Sequence, residues 1–336
     1  MSDVASTLGA TRAQPTTVPA GVAWSAPDGR RILQLALAAV WLLDAILQLQ
    51  SYFFTRSFGL EMLGPTARGN PAVVAHPISW AAQTIEHHPV PANAVFALTQ
   101  LLIALGIAWR PTLKPALVLS IIWSLGVWWV GEGLGRVLTG DSNPVSGAPG
   151  AVLLYVVLAV LLWPTERSGS STPPFIAARA VGERAAKVIW LVLWGFLGSV
   201  AILGSSRSAD GLHRIVGELA SGEPGWLART DHYVASLLAQ RGVGVSIVLA
   251  VLLGIVAVGV YLPSGAARVT TALGIVLAVL IWVFGENFGE IFTHSATDPN
   301  SGPLLILLGF AYWRGRSRSS AATSRGSDNV VEPRSA

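Results

Sequence analysis

The chain has 336 residues, of which 52% are hydrophobic and only 12% charged, with a mean hydropathy of +0.57. This profile is typical of a multi-span membrane protein and excludes a soluble domain built around one core. The absence of cysteine excludes disulfides, thiolate-bound metals and thiol redox chemistry. The basic residues mostly flank hydrophobic runs, so they indicate orientation in a membrane and not nucleic-acid binding.

Composition divides the chain into five segments. Residues 1–29 are rich in small and polar residues and are predicted to form a disordered cytoplasmic N-terminus. Residues 314–336 are predicted to be a basic, disordered cytoplasmic tail. Between them we expect a first four-helix repeat over 30–164, a cytoplasmic linker over 165–186 and a second four-helix repeat over 187–313.

Eight hydrophobic runs lie between the two ends, and each is predicted to cross the membrane as an α-helix. They cover residues 32–54, 93–109, 115–131, 149–163, 187–204, 243–262, 268–285 and 302–313. A crossing helix needs about 20 residues, and the fourth and eighth runs are shorter. Each of these two follows a polar segment, which we expect to enter the membrane as re-entrant backbone buried in protein or lining a water-filled cavity. The predicted fold is therefore an all-α membrane protein.

Lysine and arginine predict the orientation of these spans. With both termini on the cytoplasmic side of the plasma membrane, fifteen of the 22 Lys and Arg residues lie inside and seven outside. The same orientation places all six histidines outside. Two long outer loops follow, over 55–92 and 205–242, and within them Ile78–Ile85 and Leu212–Leu219 are expected to form short amphipathic helices on the outer surface.

One motif occurs twice in the chain. Val130–Thr139 has the sequence VGEGLGRVLT and Phe284–Thr293 has FGENFGEIFT, 154 residues later, with Trp128 and Trp282 preceding the two copies. In each copy a hydrophobic run ends in Gly-Glu and becomes apolar again after a polar segment. Because each repeat would contain an even number of spans, we expect parallel repeats related by an axis along the membrane normal.

The polar residues inside the first two predicted spans include Asp44, followed by Gln48 and Gln50, and Gln100. An ionisable group at membrane depth costs roughly 2.5–3.5 kcal/mol on insertion scales, so Asp44 should face the interior of the helix bundle. Its role is either a proton or substrate site, or a hydrogen bond between helices made by a neutral carboxyl group. The second half has apolar residues near the matching places, so a site built on these residues would be asymmetric.

The repeated motif contributes four further candidate residues. Glu286 and Glu290 are four residues apart and are predicted to share a helix face, as are Glu132 and Arg136 in the first copy. Around a pseudo-twofold axis, Arg136 could approach Glu286 or Glu290. Two interpretations are open: the glutamates and nearby glycines form a tight helix seam, or the glutamates form a ligand or ion site.

Histidines next to glutamates raise the question of a metal site. His87 and His88 follow Glu86, and His294 lies near Glu290, and imidazole with carboxylate suits Zn or Cu. Their spacing matches no known metal-binding motif, so we predict no metal site and retain His294 only as a ligand-site candidate. Because the sequence contains no P-loop, dinucleotide fingerprint or Ser/His/Asp arrangement, whether the protein is an enzyme stays open.

Two resemblances can be stated from these residues. The first helix with WLLDAILQLQSYF, followed by Phe58 and a helix at Asn93, resembles the DoxX-like group of small membrane proteins. The whole chain resembles uncharacterised actinobacterial integral membrane proteins with the same Gly-Glu-x-x-Gly and GAPGAVLLY (Gly147–Tyr155) segments. The DoxX-like resemblance implies a redox-associated role, with a quinone as cofactor by analogy only.

Two functions therefore remain open. In the first, the repeats enclose an outward-facing polar cavity that binds or moves a small solute or a proton, lined by Asp44, Gln48, Glu132, Glu286 and Glu290. In the second, the protein is a non-catalytic or quinone-associated subunit of a membrane redox system, and the same groups brace the helices. Its expected partners are the lipid bilayer, other membrane proteins or a second copy of the chain, and no nucleic acid.

Overall fold

A computed structural model describes residues 28–165, 173–203 and 208–315, and within these ranges every regular element is helical. The α-helices are α1 Gly29–Leu47, α2 Gly64–Thr66, α3 Ala72–His87, α4 Pro89–Ala108, α5 Leu113–Val130, α6 Ala151–Leu161, α7 Ala177–Val181, α8 Glu183–Leu203, α9 Gly211–Leu219, α10 Gly225–Leu238, α11 Gly242–Gly259, α12 Ser264–Phe284 and α13 Ser301–Ala311. Nearly all of the two ends predicted to be disordered, and part of the predicted linker, lie outside the described residues.

Five helices among the described residues, α4, α5, α8, α11 and α12, are long and apolar enough to cross a membrane, with mean hydropathies from 1.6 to 2.6. Their outer faces present apolar side chains such as Ile122 and Val192, each 63% exposed, as lipid contact requires. These helices identify the chain as an integral membrane protein. The shorter α6 and α13, of 11 residues each, occupy the fourth and eighth predicted runs.

Helices also occupy the first and fifth predicted runs, with bounds that differ from the prediction. The first run was predicted to extend to residue 54, but α1 ends at Leu47 and a separate 3-10 helix spans Ser51–Phe54. In the segment predicted as a linker, α7 forms, and α8 already begins at Glu183. The apolar pattern does not distinguish the Ser51–Phe54 turn from a continuation of the first span, because this turn contains three aromatic residues.

The same helix pairs form in both halves of the chain. In the first half α1 packs against α4, and α5 packs against α4 and α6; in the second half α8 packs against α11, and α12 packs against α11 and α13. The α6 and α13 helices contact each other and join the halves. The core around them contains the fully buried rings of Trp41, Tyr155, Trp190, Trp194 and Tyr312.

The two long loops are largely helical. The first contains a π-helix over Phe58–Leu63 and α3, which bury Phe53, Phe58 and Ile78 in a small second core. The second contains α9 and α10. The predicted helices around Ile78 and Leu212 are thus confirmed, whereas α10 was not predicted.

Arginines close several helix ends at the side of the molecule opposite the repeated motif. Arg31 donates to the carbonyl oxygens of Ile107 (2.9 Å) and Ala108 at the end of α4. Arg314 donates to Val260 (2.6 Å) and Leu262 (3.2 Å) after α11. These guanidinium groups satisfy carbonyls that lack a partner within their own helix.

Candidate functional site

Both copies of the motif begin just beyond the end of a helix. The amide of Glu132 donates to Val127 O (3.0 Å) and that of Glu286 to Ile281 O (2.9 Å), five residues back in each case. The α5 and α12 helices therefore end at Val130 and Phe284, and the motif residues form turns.

The prediction that Glu286 and Glu290 share a helix face, as do Glu132 and Arg136, is therefore wrong. Arg136 and Glu290 both have left-handed backbone, with φ of 56° and 55°, so the chain turns away from the helix axis before either residue is reached.

The turns of both copies are held by the same hydrogen bond. The indole nitrogen of Trp128 donates to Pro149 O and that of Trp282 to Pro299 O, each at 2.8 Å. Each bond joins the last turn of a long helix to the residues just before a short one. The two tryptophans thereby fix the polar segment of each copy at both of its ends.

The glycine at the sixth position of each copy, Gly135 or Gly289, permits this close approach. A Cβ atom on Gly135 would lie 2.1 Å from Pro149 O, and one on Gly289 would lie 2.4 Å from the carbonyl carbon of Pro299. Both glycines also have positive φ, of 64° and 74°. No other residue fits there, because it would both clash and adopt an unfavourable backbone conformation.

The repeated glutamates bind the first turn of the following short helix. Glu132 Oε1 accepts from the Val152 amide (3.3 Å), and Glu286 Oε2 accepts from the Gly302 amide (3.0 Å). A carboxylate at a helix N-terminus is favourable because the free amides and the helix dipole both attract negative charge. The Ser301 hydroxyl also donates to Glu286 Oε1, so both oxygens of Glu286 are bonded.

Glu132 differs from Glu286 at one atom. Its Oε2 oxygen is buried and has no hydrogen-bond partner among the described residues. The position that matches Ser301 is Ala151, which has no hydroxyl to donate. The first copy therefore leaves one carboxylate oxygen available, while the second uses both.

The two copies of the motif line one cavity of about 600 Å³. Its described charged lining residues are Glu132, Arg136, Asp141, Arg214, Glu218, Glu286, Glu290 and Asp298. Six of these are acidic and two are basic, so the cavity is acidic. Arg136 forms no salt bridge with a described residue, although it lines the same cavity as Glu286 and Glu290.

Burial changes the titration of the repeated glutamates. Burial, together with the nearby charge of Asp298, raises the pKa of Glu132 to about 8 against the opposing effect of the Val152 and Ala151 amides. Burial likewise raises the pKa of Glu286 to about 7, where the bonds from Ser301 and Gly302 oppose it. Both carboxyl groups therefore titrate near neutral pH.

Two further polar atoms at the cavity wall have no partner. Ser142 and Asn143 are only 4% and 1% exposed, and both line the cavity. Ser142 Oγ and Asn143 Nδ2 form no hydrogen bond with any described residue. Buried polar groups are usually satisfied, so these two unpartnered atoms distinguish the cavity wall from the rest of the protein interior.

Asp44 and Gln48 do not line this cavity, contrary to the expectation. The Tyr155 hydroxyl donates to Asp44 Oδ2 at 2.5 Å, which joins α6 to α1. Gln48 Nε2 donates to Asn93 Oδ1 at 2.5 Å, and Asn93 Nδ2 donates to Gln48 O at 2.8 Å, which joins α1 to α4. These bonds hold both predicted site residues within the helix packing.

The other two candidates also lie away from the cavity. Gln100 is buried in α4, and its Oε1 has no partner among the described residues. His294 is exposed, has a φ of 64° and is absent from the cavity wall. Among the described residues, no group of three or more His, Cys, Asp or Glu side chains could hold a metal ion.

Sequence reasoning missed several residues of this region. Tyr155 lies in the GAPGAVLLY segment, but its partner Asp44 is 111 residues away, and no spacing rule connects them. Asp298 lies in the turn before α13, where its Oδ1 accepts a hydrogen bond from the Asn300 amide (2.8 Å). Its position beside both repeated glutamates follows only from the fold.

No protein-family model, no curated protein and no solved structure matches this chain. The resemblances to the DoxX-like group and to actinobacterial membrane proteins therefore stay predictions. What the protein does has to be inferred from its own cavity and from the residues around it.

Proposed function

We propose that the chain is an eight-span membrane protein built as two parallel four-helix repeats. The first repeat is α1, α4, α5 and α6, and the second is α8, α11, α12 and α13. The support is twofold: the same helix pairs pack in each half, and the same tryptophan-to-proline and glutamate-to-amide bonds occur in each motif. The Lys and Arg distribution favours cytoplasmic termini in a plasma membrane.

In this arrangement the polar segments between the motifs and the short helices are re-entrant. Each short helix has only 11 residues, about half of what a crossing requires. The segments before them contain buried polar residues, among them Ser142 and Asn143. Irregular backbone at membrane depth is stable where it lines a cavity, which is the position of both segments here.

We infer that the protein binds a small polar solute from the outer side in the cavity that both motifs line. The observation behind this inference is the group of unpartnered buried atoms at the cavity wall, Glu132 Oε2, Ser142 Oγ and Asn143 Nδ2. Such atoms cost free energy in a folded protein unless a ligand or water satisfies them. A cavity of about 600 Å³ lies within the range that small-molecule sites occupy.

The alternative of a quinone-associated redox subunit receives less support. A quinone carries an apolar tail and needs a predominantly apolar groove, as small-molecule sites for such groups do. The described wall of this cavity has eight charged residues, which favours a polar solute. The quinone proposal rests on the DoxX-like resemblance alone.

Single cysteines test the cavity and the orientation together, because the chain has none of its own. We expect Ser142→Cys in the cavity and Ser221→Cys between α9 and α10 to react with an impermeant thiol reagent in intact cells. Ser264→Cys, an exposed serine at the opposite end of α12, is the matched control and should react only after permeabilisation. Reaction of Ser264→Cys alone in intact cells would contradict the predicted topology. An unreactive Ser142→Cys would contradict a cavity that is open to the outer side.

Solute binding itself is tested by thermal unfolding of the purified protein with a panel of small amines, amino acids and sugars. A ligand that binds only the folded state raises the unfolding temperature. Ser142→Trp, which fills the cavity, should abolish that increase. If no member of the panel stabilises the protein, or if Ser142→Trp responds as the unmodified protein does, the binding proposal is wrong.

A further inference from the structure

We propose that the solute is a small organic cation, and that Glu132 binds its ammonium group in exchange for a proton while Glu286 has a structural role. This inference rests on the proposed solute-binding function and adds the class of ligand and the residue that recognises it. Three observations support it: the charge of the cavity, the unequal bonding of the two glutamates, and the unpartnered atoms of Ser142 and Asn143, which line the same cavity.

The charge of the cavity selects the sign of the ligand. Its described wall has six acidic residues and two arginines. A concave wall with one dominant sign of charge concentrates ligands of the opposite sign. With Glu132 in its acid form, the other five acidic residues still outnumber the two arginines and favour a cation over an anion.

The hydrogen bonds of the two glutamates indicate which of them binds the ligand. Glu286 is 1% exposed, and both of its oxygens accept bonds, from the Ser301 hydroxyl and the Gly302 amide. It is thus fixed as the cap of α13. Glu132 Oε1 accepts the equivalent hydrogen bond from the Val152 amide (3.3 Å), but Glu132 Oε2 accepts none from a described residue. An ammonium group that reaches the buried Oε2 can therefore pair with Glu132 without displacing a hydrogen-bond donor of the protein.

The unpartnered atoms restrict the rest of the ligand. Asn143 Nδ2 is a donor, so it requires an acceptor on the solute. Ser142 Oγ can donate or accept. Both side chains are at least nine-tenths buried and line the cavity. The ligand class that meets all three atoms is a small amine that also carries a hydroxyl or carbonyl oxygen.

Proton exchange balances the charge of this binding step. Glu132 enters the step as a carboxylic acid, the ammonium group of the solute takes the place of its proton, and the proton passes to water in the cavity. The result is a carboxylate paired with an ammonium ion, and one proton released per solute bound. Burial raises the pKa of Glu132 to about 8, so the acid form is present at neutral pH.

Several other charged or titratable groups surround Glu132. They come from the two polar segments, from α9 and from the adjoining spans, and they are Asp44, Arg136, Asp141, Tyr155, Arg214, Glu218, Glu286, Glu290 and Asp298. Of these, Glu286 is the group whose titration most closely resembles that of Glu132, because it occupies the same place in the second motif. The test therefore compares these two residues directly.

Ethanolammonium and ethylene glycol serve as matched probes, since they are similar in size and differ in charge. We expect ethanolammonium, adjusted to the pH of a weakly buffered sample of the full-length protein at pH 7, to raise the unfolding temperature and to release up to one proton, detected with an indicator dye. Ethylene glycol should do neither. Glu132→Gln should abolish both responses, and Glu286→Gln should retain them at reduced overall stability.

A hydroxyl swap provides variants that keep both carboxylates. Ala151→Ser gives Glu132 the donor that Glu286 already has, and should weaken ethanolammonium binding roughly tenfold, the cost of one hydrogen bond to a charged group. It also tests the proposal if Glu132→Gln fails to fold. Ser301→Ala is the reciprocal control and should leave the dissociation constant within about twofold.

The possible results separate this inference from the proposed function. Equal losses in Glu132→Gln and Glu286→Gln would refute the unequal roles, and binding without proton release would refute the exchange. Stabilisation by ethylene glycol as large as by ethanolammonium would refute a cationic ligand but preserve solute binding. An unreactive Ser142→Cys, together with no response to any solute of the panel, would instead refute the proposed function.

Discussion

The two copies of the repeated motif make the same bonds around their backbones and different bonds at their glutamates. Trp128 and Trp282 reach a proline carbonyl at 2.8 Å in both copies, whereas Ser301 bonds only the second glutamate. What is common to the copies stabilises the fold. What differs between them is the basis of the ligand site that we propose in the first copy.

The segments inside the two copies differ as well. From tryptophan to proline the first copy spans 21 residues and the second spans 17, yet both ends of the segment are held in the same way. The first, longer segment contains Ser142 and Asn143, whose Oγ and Nδ2 atoms are unpartnered. The first copy thus combines the open glutamate with the other unsatisfied atoms of the cavity.

The largest expected effect comes from the glycines that both copies share. Gly135→Val and Gly289→Val each place a Cβ atom 2.1 to 2.4 Å from the backbone of Pro149 or Pro299. We therefore expect losses of about 4 kcal/mol or more in unfolding free energy. Gly140→Ala is the control, because this glycine also has positive φ (79°) but has open space around it, and it should lose only about 1 kcal/mol. Chemical unfolding in detergent measures all three. A tolerated valine at either glycine would contradict the shared backbone arrangement.

The next effect concerns the shared tryptophan bonds. Trp128→Phe and Trp282→Phe keep most of the ring but leave a proline carbonyl without its donor, which should cost about 1–3 kcal/mol in each copy. Trp80→Phe, at a side chain 70% exposed, should cost roughly 0.5 kcal/mol or less, as surface substitutions usually do. If the losses of unfolding free energy in Trp128→Phe and Trp282→Phe differed by more than about twofold, the two copies would not stabilise the fold equally.

A pH series separates the glutamates. Because the folded-state pKa values of Glu132 (about 8) and Glu286 (about 7) are raised, their contribution to stability is complete below about pH 4.5 and is lost as pH rises through 7 and 8. We expect the unfolding temperature to fall over this range. Glu132→Gln should remove the part of the decrease nearest pH 8, an effect of about 1–2 kcal/mol after screening by water in the cavity. An unchanged pH profile in Glu132→Gln would show that this carboxyl group titrates normally.

The smallest expected effect is that of the hydroxyl swap on stability. Ser301→Ala removes one hydrogen bond to Glu286 and should lower the unfolding free energy by about 1 kcal/mol. Ala151→Ser should be neutral or stabilising by a similar amount, since it adds a donor for Glu132. Thermal unfolding of both variants, and of the double variant, measures whether the two changes are additive. A destabilising Ala151→Ser would mean that Glu132 Oε2 is not positioned to accept.

The sequence was sufficient to predict the helical class and the repeated motif, because apolar runs and matched residues are visible along the chain. It was insufficient for the end of α5 and α12, since spacing placed Glu286 and Glu290 on one helix face while the left-handed φ of Glu290 follows from packing of the turn. The pairing of Asp44 with Tyr155 was also hidden, because it depends on how α1 and α6 meet. The acidic cavity required both halves to be in place.

The arginines at the opposite side of the molecule have a consequence for biosynthesis. Arg31 lies up to 77 residues before the α4 carbonyl groups to which it donates. Arg314 lies 54 residues after Val260, whose carbonyl group it bonds at the end of α11. During synthesis, which proceeds from the N-terminus, the donor for α4 is already present when that helix emerges. The carbonyl groups at the end of α11 gain their donor only when Arg314, nearly the last described residue, has been synthesised. Ribosomes stalled shortly before Arg314 would therefore hold a nascent chain in which these carbonyl groups lack that donor.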